Sequence, residues 1–387
     1  MPRTILHLDL DAFFCSVEET RNESLRGKPF AVGGKPDERG VVASCSYAAR
    51  ALGIRSAMPM SRAVRLCPNL IIISGRHKLY GEVSEQVMTR LRDLTPFVEQ
   101  ISIDEAFLDI SDMAEPPARI ASALQAGVRH ELHLPSSIGI AANKLMAKIA
   151  NEVGKKSAKG GAPPFALTIV PHGQESAFLA PLPSDMLWGV GPKTEQRLAS
   201  LGMHTIGDIA RWPEADLIQR FGEQGRELAR HARGMDDRPI VTERETKSIS
   251  QEVTFNRDVR DDKTLLKTIQ EQSAEVGRQL RKNNLAAATI KLKLRWPDFN
   301  TLSRQTTLTQ ATNQGDEIAS AALALLKSVR RSGQAVRLIG VGVSGLGPPM
   351  RQLELWNETG EKSRRLQSAL DELKEKFGES IIQRGEK

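Results

Sequence analysis

The sequence lacks any run of about 18 apolar residues, the length that a helix needs to cross a membrane. Its first residues, MPRTILHLDLD, have neither the apolar core nor the small-residue cleavage site of a signal peptide. Cysteine is scarce, and the three thiols, at Cys15, Cys45 and Cys67, show no metal-site spacing. We therefore expect a cytoplasmic protein with reduced thiols, no membrane association and one to three globular domains.

Positive charge is concentrated in one part of the chain. The formal net charge is +7. From Thr246 to Gly345 there are 16 lysines and arginines against 9 acidic residues, while the rest of the chain holds 38 of each. Such a segment is typical of proteins that bind a polyanion such as nucleic acid; the alternative is an ordinary solvated surface.

Four acidic residues lie at the ends of predicted elements in the first third of the chain. These elements are the strand Ile5–Leu10, a helix over 12–20, and two hairpin strands, Val98–Ile103 and Ala106–Ile110. Asp9 lies near the end of the first strand, Asp11 is suited to cap the helix, and Asp104 and Glu105 form the tip of the hairpin. Carboxylates at strand ends are common as caps and turns, and they also suit Mg²⁺ in two-metal phosphoryl transfer.

The basic segment predicts an α+β unit with an antiparallel sheet. Its predicted elements are Ser248–Phe255, Leu265–Lys282, Ala287–Trp296, Leu302–Thr309, Asp316–Ser328 and Val336–Ser344. The alternation in TIKLKLRW puts Lys291, Lys293 and Arg295 on one face of a strand.

Five motifs occur in a characteristic order: LDLDAFFCSVE, GVVASCSYAARALGIRSAMPM, ISIDEAFLDI, GIAANKLMAKIA and WGVGPKTEQRL. Together they resemble the Y-family DNA polymerases, and specifically the DinB, or DNA polymerase IV, subfamily, from about residue 4 to residue 345. The resemblance implies an α+β multidomain fold in the shape of a right hand. Its parts would be a palm (1–20 and 79–168), fingers (21–78), a helical thumb with a helix-hairpin-helix (169–235), a linker (236–245), an α+β little finger (246–345) and a tail (346–387).

The resemblance also implies the catalytic groups. Asp9, Asp104 and Glu105, with the backbone carbonyl of Leu10, would bind two Mg²⁺ ions, and Mn²⁺ would be able to substitute. Phe14 matches the steric-gate position, where an aromatic ring would collide with a ribose 2′-hydroxyl.

Further residues are implied for the nucleotide. Phe13 adjoins the gate, although core packing is the preferred interpretation for its ring. Ser44, Tyr47 and Arg50 would face the triphosphate; an exposed arginine and a half-buried tyrosine are the alternative. Lys155 matches a lysine that reaches the triphosphate, but the following KSAKGG departs from the family's usual Pro-Asp-Gly or Pro-Asn-Gly. This departure leaves Lys155 and Lys156 both open for the contact.

Contacts to DNA and to a protein partner are implied as well. Gly189, Gly191 and Lys193 would hold the primer side through backbone N–H groups. Lys291, Lys293 and Arg295 would hold duplex by its phosphates, with steep salt dependence. The tail motif resembles the family's sliding-clamp motif, with Trp in place of Phe; its residues are Gln352, Leu353, Leu355 and Trp356. Packing against the last predicted helix, over 363–377, is the alternative.

The resemblance therefore implies a monomeric, template-directed DNA polymerase that is associated with the bacterial nucleoid when bound to DNA. Its substrates would be primer–template DNA and deoxynucleoside triphosphates, and it would perform low-fidelity translesion synthesis without a proofreading exonuclease. Two rival functions are a non-catalytic polymerase-like scaffold bound to the clamp and a nucleotide cyclase. The presence of all three metal acids argues against the scaffold, and the hairpin-helix and basic domain argue against the cyclase.

Overall fold

A computed structural model describes residues 3–157 and 162–349 and the isolated positions Ala369, Leu373 and Lys376. The chain divides into two units, Met1–Arg244 and Glu245–Lys387. The boundary falls at the end of the predicted linker.

The first unit contains three groups of elements. The strands are β1 (Ile5–Leu10), β2 (Phe30–Gly33), β3 (Val42–Cys45), β4 (Ile71–Ile73), β5 (Val98–Gln100), β6 (Glu105–Asp109), β7 (Ser136–Ala141) and β8 (Leu167–Ile169). The helices up to residue 157 are α1 (Phe13–Arg21), α2 (Tyr47–Ala51), α3 (Met60–Leu66), α4 (His77–Leu94), α5 (Pro117–Leu132) and α6 (Lys144–Ser157). The later helices are α7 (Glu175–Leu179), α8 (Pro192–Ala199), α9 (Ile206–Arg211), α10 (Glu214–Phe221) and α11 (Glu223–Ala232). Short 3₁₀ turns lie at Glu23–Leu25 and Ser184–Met186.

A five-stranded sheet in the order β5-β6-β1-β7-β8 forms the centre of this unit. Its strands are antiparallel except for the β7–β8 pair. Because side chains alternate along β1, Leu6 and Leu8 face a core shared with α4 and α5, while Ile5 and His7 face α6. Every residue of β1 is buried, which explains its almost continuous apolar sequence.

The predicted fingers form a separate small layer. Their sheet has the order β3-β2-β4, and helices α2 and α3 pack on it. The core of this layer consists of small and medium side chains, among them Ala31, Ala49 and Met60.

The segment predicted as a linker is held against helix α6 and strand β5 of the first unit. The backbone N–H of Leu145 donates to Asp236 (3.0 Å), and the N–H of Val241 donates to Glu99 (3.0 Å). Glu99 is buried and also accepts from Lys144 Nζ at 2.8 Å. Residues 236–244 therefore belong to the first unit, because buried polar partners hold them there.

The second unit is an α+β layer pair. Its elements are β9 (Ser248–Val259), α12 (Asp262–Lys282), β10 (Ala286–Arg295), β11 (Thr301–Thr312), α13 (Gly315–Val329) and β12 (Val336–Gly347). The antiparallel sheet has the order β11-β10-β12-β9, and both helices share a core with one of its faces. The order of elements agrees with the one predicted from periodicity, and the α+β fold class is confirmed.

Ahead of the turn at Gly189 and Gly191, the chain forms the 3₁₀ turn Ser184–Met186. One local prediction was wrong. The first hairpin strand ends at Gln100 rather than Ile103, because the hydroxyl of Ser102 accepts from the N–H groups of Asp104 and Glu105 (3.3 and 3.1 Å) and closes a turn there. Among the residues that the structure describes, no helix has the length and apolar character to span a membrane.

Candidate active site

The two neighbouring phenylalanines that follow the turn between β1 and α1 have different surroundings. Ala12 adopts the left-handed conformation (φ 48°, ψ 44°), which is unfavourable for a residue with a Cβ atom. The chain therefore reverses sharply at the strand end. Phe13 enters the core with 2% of its surface exposed, as preferred from the sequence, whereas Phe14 is only half-buried.

Asp11 does not cap α1, so this prediction was wrong. The N-cap position is Ala12, which has no side-chain acceptor. The buried carboxylate of Asp11 instead accepts from Ser137 Oγ at 2.9 and 3.0 Å, and it lies 3.5 Å from the Tyr47 hydroxyl and 3.7 Å from Lys155 Nζ. Because Ala12 takes the N-cap position, Asp11 lies one residue before the cap. Its carboxylate there contacts side chains from three other segments of the chain.

The strand register brings the three metal-ligand candidates together. Asp9 pairs directly with Glu105 across the β1–β6 ladder, and the N–H of Leu10 donates to the carbonyl of Asp104 at 2.9 Å. Directly opposed residues of antiparallel strands have neighbouring side chains. The backbone thus places two carboxylates side by side and a third in the adjoining turn.

Helix α6 presents a polar stripe to these strands. Lys144, Lys148, Asn151 and Lys155 follow one another at helical spacing. Lys148 Nζ donates to Glu105 at 2.6 Å, and Lys155 Nζ lies 2.5 Å from Asp9 Oδ1. Each acid of the opposed pair is therefore matched by one lysine of the helix.

Burial and the neighbouring positive charges shift the pKa values of Asp9 and Glu105 in opposite directions. Burial raises the pKa of Asp9, and Glu105 adds to the rise, although Lys155 lowers it. Burial also acts to raise the pKa of Glu105, but the neighbouring His7 ring and the hydrogen bond from Lys148 bring this pKa well below its usual range. Two adjacent buried carboxylates are costly to ionise together unless cations balance them. The pair is suited to bind additional positive charge.

The donor set fits a hard divalent cation by its chemistry. It consists of carboxylates and a backbone carbonyl, the oxygen ligands that Mg²⁺ and Mn²⁺ prefer. Within 3–157 and 162–349, no three His, Cys, Asp or Glu side chains already converge as a metal cluster. Lys148 holds the carboxylate of Glu105, and Ser102 Oγ donates to Asp104 at 2.6 Å. Both carboxylates would have to turn toward a metal.

A cavity of about 170 Å³ opens beside the acids. Its walls are Asp9, Leu10, Ala12, Phe13, Phe14, Ala43, Ser44, Arg50, Ser56, Asp104 and Lys155. Most of the predicted metal and nucleotide residues therefore surround one space. Glu105 and Tyr47 do not line this cavity but contact residues that do: Glu105 pairs with Asp9, and the Tyr47 ring centre is 4.9 Å from the guanidinium carbon of Arg50.

The two neighbouring lysines at the end of α6 have different surroundings. Lys155 is mostly buried and lines the cavity, and burial acts to lower its pKa while Asp9 and Asp11 raise it to a net increase. Lys156 is exposed and contacts Met186 Sδ at 2.6 Å. Of the two positions left open from the sequence, Lys155 is the one at the cavity.

Sequence reasoning missed two polar residues beside Glu105. His7 is fully buried, with Nε2 3.7 Å from Glu105 Oε2, and burial lowers its pKa to about 4. Lys148 is the second. The polar spacing along α6 was a usable signal for Lys148, but nothing in the sequence showed which strand residues the stripe would face.

Most of the residues predicted to contact DNA are exposed, but Lys293 and Arg295 are half-buried, and Lys293 Nζ donates to Glu252 at 2.7 Å. Gly189 has φ 98°, Gly191 precedes the first residue of α8, and Lys193 lies in the first turn of that helix. In the second unit, Ile290, Leu292 and Leu294 are buried against the helices, so Lys291, Lys293 and Arg295 face away from them. The predicted common face of these three basic residues is confirmed.

The predicted clamp motif, Gln352, Leu353, Leu355 and Trp356, lies outside the described residues, as does most of the predicted helix over 363–377.

Comparisons with known proteins identify the family. Residues 8–152 match the impB/mucB/samB family, residues 185–236 match the thumb domain of DNA polymerase-iota, and residues 246–355 match the impB/mucB/samB C-terminal domain. The chain is 41% identical to DNA polymerase IV of Dehalococcoides mccartyi strain CBDB1 over 99% of this chain and 97% of that protein. It is 44% identical to DNA polymerase IV of Streptomyces coelicolor over 89% of this chain and 71% of that protein.

The chain belongs to the DNA polymerase IV (DinB) family of Y-family DNA polymerases.

Solved structures agree with this assignment to the Y family. A Y-family DNA polymerase chimera of Dbh and Dpo4 matches with a TM-score of 0.78 and 25% identity, covering 89% of this chain and 99% of that one. An insertion ternary complex of Dbh DNA polymerase matches with a TM-score of 0.63 and 25% identity, covering 88% and 98%. The protein is thus a DNA-directed DNA polymerase of the translesion type, and Y-family polymerases generally depend on divalent metal ions.

Proposed function

We propose that this Y-family polymerase extends a primer by two-metal phosphoryl transfer, with Asp9, the Leu10 carbonyl, Asp104 and Glu105 as the ligands. The observation that carries the proposal is the pairing of Asp9 with Glu105 at the rim of a cavity that Phe14 and Lys155 also line. Two Mg²⁺ ions, when bound there, would activate the primer 3′-hydroxyl and neutralise the triphosphate. The chain's own contribution is to hold three carboxylates at one place and to restrict access to it.

The cavity walls match the parts of a deoxynucleoside triphosphate. Arg50 and Lys155 supply positive charge for phosphate oxygens, and Ser44 offers a hydroxyl beside them. Tyr47 supports Arg50 through the contact of their side chains. Phe14, half-buried at the cavity wall, would occupy the space that a ribose 2′-hydroxyl needs. Phe13 stabilises the same wall from within the core.

DNA would be held at two surfaces that do not read sequence. The exposed turn at Gly189 and Gly191 lets a DNA backbone approach the first N–H groups of α8, and Lys193 adds charge. The open face of β10 carries Lys291, Lys293 and Arg295. Phosphate contacts of both kinds fix position on the duplex without selecting bases.

We also propose the assignment of domains that the family resemblance implies. We assign residues 1–20 and 79–168 to the palm, 21–78 to the fingers, 169–235 to the thumb and 246–345 to the little finger.

The tail motif from Gln352 to Trp356 would bind a sliding clamp, since two leucines and an aromatic ring suit an apolar groove. We propose a monomer that acts on DNA in the bacterial cytoplasm.

A primer-extension assay tests the catalytic proposal. The wild-type chain, with Mg²⁺ and one deoxynucleotide at a time, should add the nucleotide that pairs with the template. Glu105→Gln and Asp104→Asn should abolish extension and leave DNA affinity within about twofold, because neither residue lies on a proposed DNA surface. Retained extension in either variant would refute its role as a metal ligand.

A further inference from the structure

The catalytic strand carries a buried histidine that the proposed reaction does not use. His7 lies two residues before Asp9 on the same face of β1, and its strand partners are Phe107 and Gly139. Its side chain has no exposed surface, and its ring packs on Phe107 with the centroids 4.8 Å apart. The sheet therefore holds this ring in one place.

Asn151 determines which nitrogen of the ring carries the proton. Its Nδ2 lies 3.0 Å from the carbonyl oxygen of Ser137, 3.3 Å from that of His7 and 3.0 Å from His7 Nδ1. The two carbonyls can only accept, which orients the amide nitrogen toward all three atoms. The amide has only two hydrogens for these three atoms, and its nitrogen cannot accept. A proton on Nδ1 of His7 would therefore face a donor, so the neutral ring carries its proton on Nε2.

A glycine makes this contact possible. A Cβ atom at Gly139 would lie 2.0 Å from the carbonyl oxygen of Ala147 and 2.6 Å from the backbone nitrogen of Asn151. Helix α6 can approach the sheet at this point only because that atom is missing. The close approach brings the Asn151 amide within hydrogen-bonding distance of the strand.

The Nε2–H group is aimed at Glu105. Within the described part of the chain it has no hydrogen-bond partner, and Glu105 Oε2 lies 3.7 Å from it. The same oxygen accepts from Lys148 Nζ at 2.6 Å. A buried donor without a partner is uncommon, and a small turn of the carboxylate would satisfy it.

We propose that His7, oriented by Asn151, is a positioning residue for the Glu105 carboxylate. Its Nε2–H would hold Oε2, the oxygen that also accepts from Lys148, and so direct Oε1 toward the catalytic cation. A rigid imidazole is better suited to this task than the flexible lysine, since it fixes the direction of the carboxylate as well as its charge. The inference rests on the proposed metal role of Glu105.

The test uses three variants of the full chain. His7→Phe keeps a ring but removes the donor, and His7→Gln keeps a donor. Leu8→Met is the control, because Leu8 faces the opposite core from the same strand. Mn²⁺ binding is measured by electron paramagnetic resonance on the complex with a dideoxy-terminated primer–template and the matching nucleotide, so no reaction occurs. The thermal midpoint Tm of each variant shows whether it is folded.

His7→Phe should bind Mn²⁺ at least about 10-fold more weakly and need a correspondingly higher Mg²⁺ concentration for half-maximal extension. His7→Gln should recover part of this loss, and Leu8→Met should resemble the wild type. Wild-type Mn²⁺ affinity in a folded His7→Phe variant would overturn the proposal. If that variant does not fold, the ¹⁵N spectrum of histidine-labelled wild-type protein decides, with His7 assigned from the His7→Gln variant. A proton on Nδ1 would then overturn the proposal.

The two proposals fail in different ways. An active Glu105→Gln variant would remove the metal role of Glu105 and the present inference with it. An inactive Glu105→Gln together with normal Mn²⁺ binding by His7→Phe would remove only the role of His7.

Discussion

The ring of Phe14 stacks on the ring of Tyr80, with the centroids 4.3 Å apart and the planes 15° from parallel. Tyr80 is fully buried, and its hydroxyl donates to Glu18 at 2.7 Å. Arg76 Nε donates to the same carboxylate oxygen at 3.1 Å. The proposed sugar gate is therefore supported from behind by a tyrosine that is itself fixed by a buried carboxylate.

If Phe14 is the gate and Tyr80 only supports it, substitutions at the two positions should weaken sugar selection to different extents. Phe14→Ala should raise the efficiency of ribonucleotide relative to deoxynucleotide incorporation by about 100-fold or more, because the ring that excludes the 2′-hydroxyl is gone. Tyr80→Ala should give a smaller rise of roughly 2- to 10-fold, since only the stacking energy is lost. Tyr80→Phe keeps the stack and should resemble the wild type. The ratio of kcat/KM for the two sugars measures the effect, and unchanged selection in Phe14→Ala would exclude the gate.

The two lysines at the end of α6 offer a matched comparison. Lys155→Met should raise the KM for the deoxynucleotide by about 10-fold or more, because a charge-assisted contact to phosphate is lost. Lys156→Met should change it by less than about twofold, since this side chain lies outside the cavity wall. Lys155→Arg keeps the charge beside Asp9 and Asp11 and serves as a check on folding. Equal effects of the two methionine variants would contradict the assignment of Lys155.

The basic face of β10 predicts how DNA binding depends on salt. Lys291→Met should weaken binding to duplex DNA and reduce the slope of log Kd against log salt concentration by about 0.9, the value for one phosphate contact. Lys267→Met, on the exposed side of α12, removes the same charge from the opposite layer and should leave the slope unchanged. Fluorescence anisotropy between low and moderate salt gives both values. An identical loss of slope in the two variants would show that only net charge matters.

The tail motif predicts a partner-dependent effect. A chain with Gln352, Leu353, Leu355 and Trp356 all replaced by alanine should extend primers normally by itself but should gain nothing from an added bacterial sliding clamp. The basal reaction is expected to persist because the proposed catalytic residues all lie before residue 156. Primer extension with and without clamp measures this difference. Full stimulation of the alanine variant would exclude the motif as the clamp contact.

Periodicity in the sequence was sufficient for most of the fold. The alternation in TIKLKLRW gave the buried and basic faces of β10, and the predicted strand Ile5–Leu10 coincides with β1. Predictions failed where a single backbone conformation decided the outcome. Asp11 was expected to cap a helix, but the left-handed conformation of Ala12 shifted the cap by one residue. Likewise, hydrogen bonds to the hydroxyl of Ser102 close a turn, so the first hairpin strand ends earlier than predicted.

By itself, the sequence determined which side chains are chemically able to act and, through its ordered motifs, the family. Carboxylates at strand ends and basic residues on an open sheet face follow from residue type and spacing. Only the tertiary structure decided which residues meet, since a strand's period shows its faces but not the register of its partner. The pairing of Asp9 with Glu105 depends on this register. The contacts of Lys148, Asn151 and Lys155 depend likewise on how α6 crosses the sheet over Gly139, which no local pattern specifies.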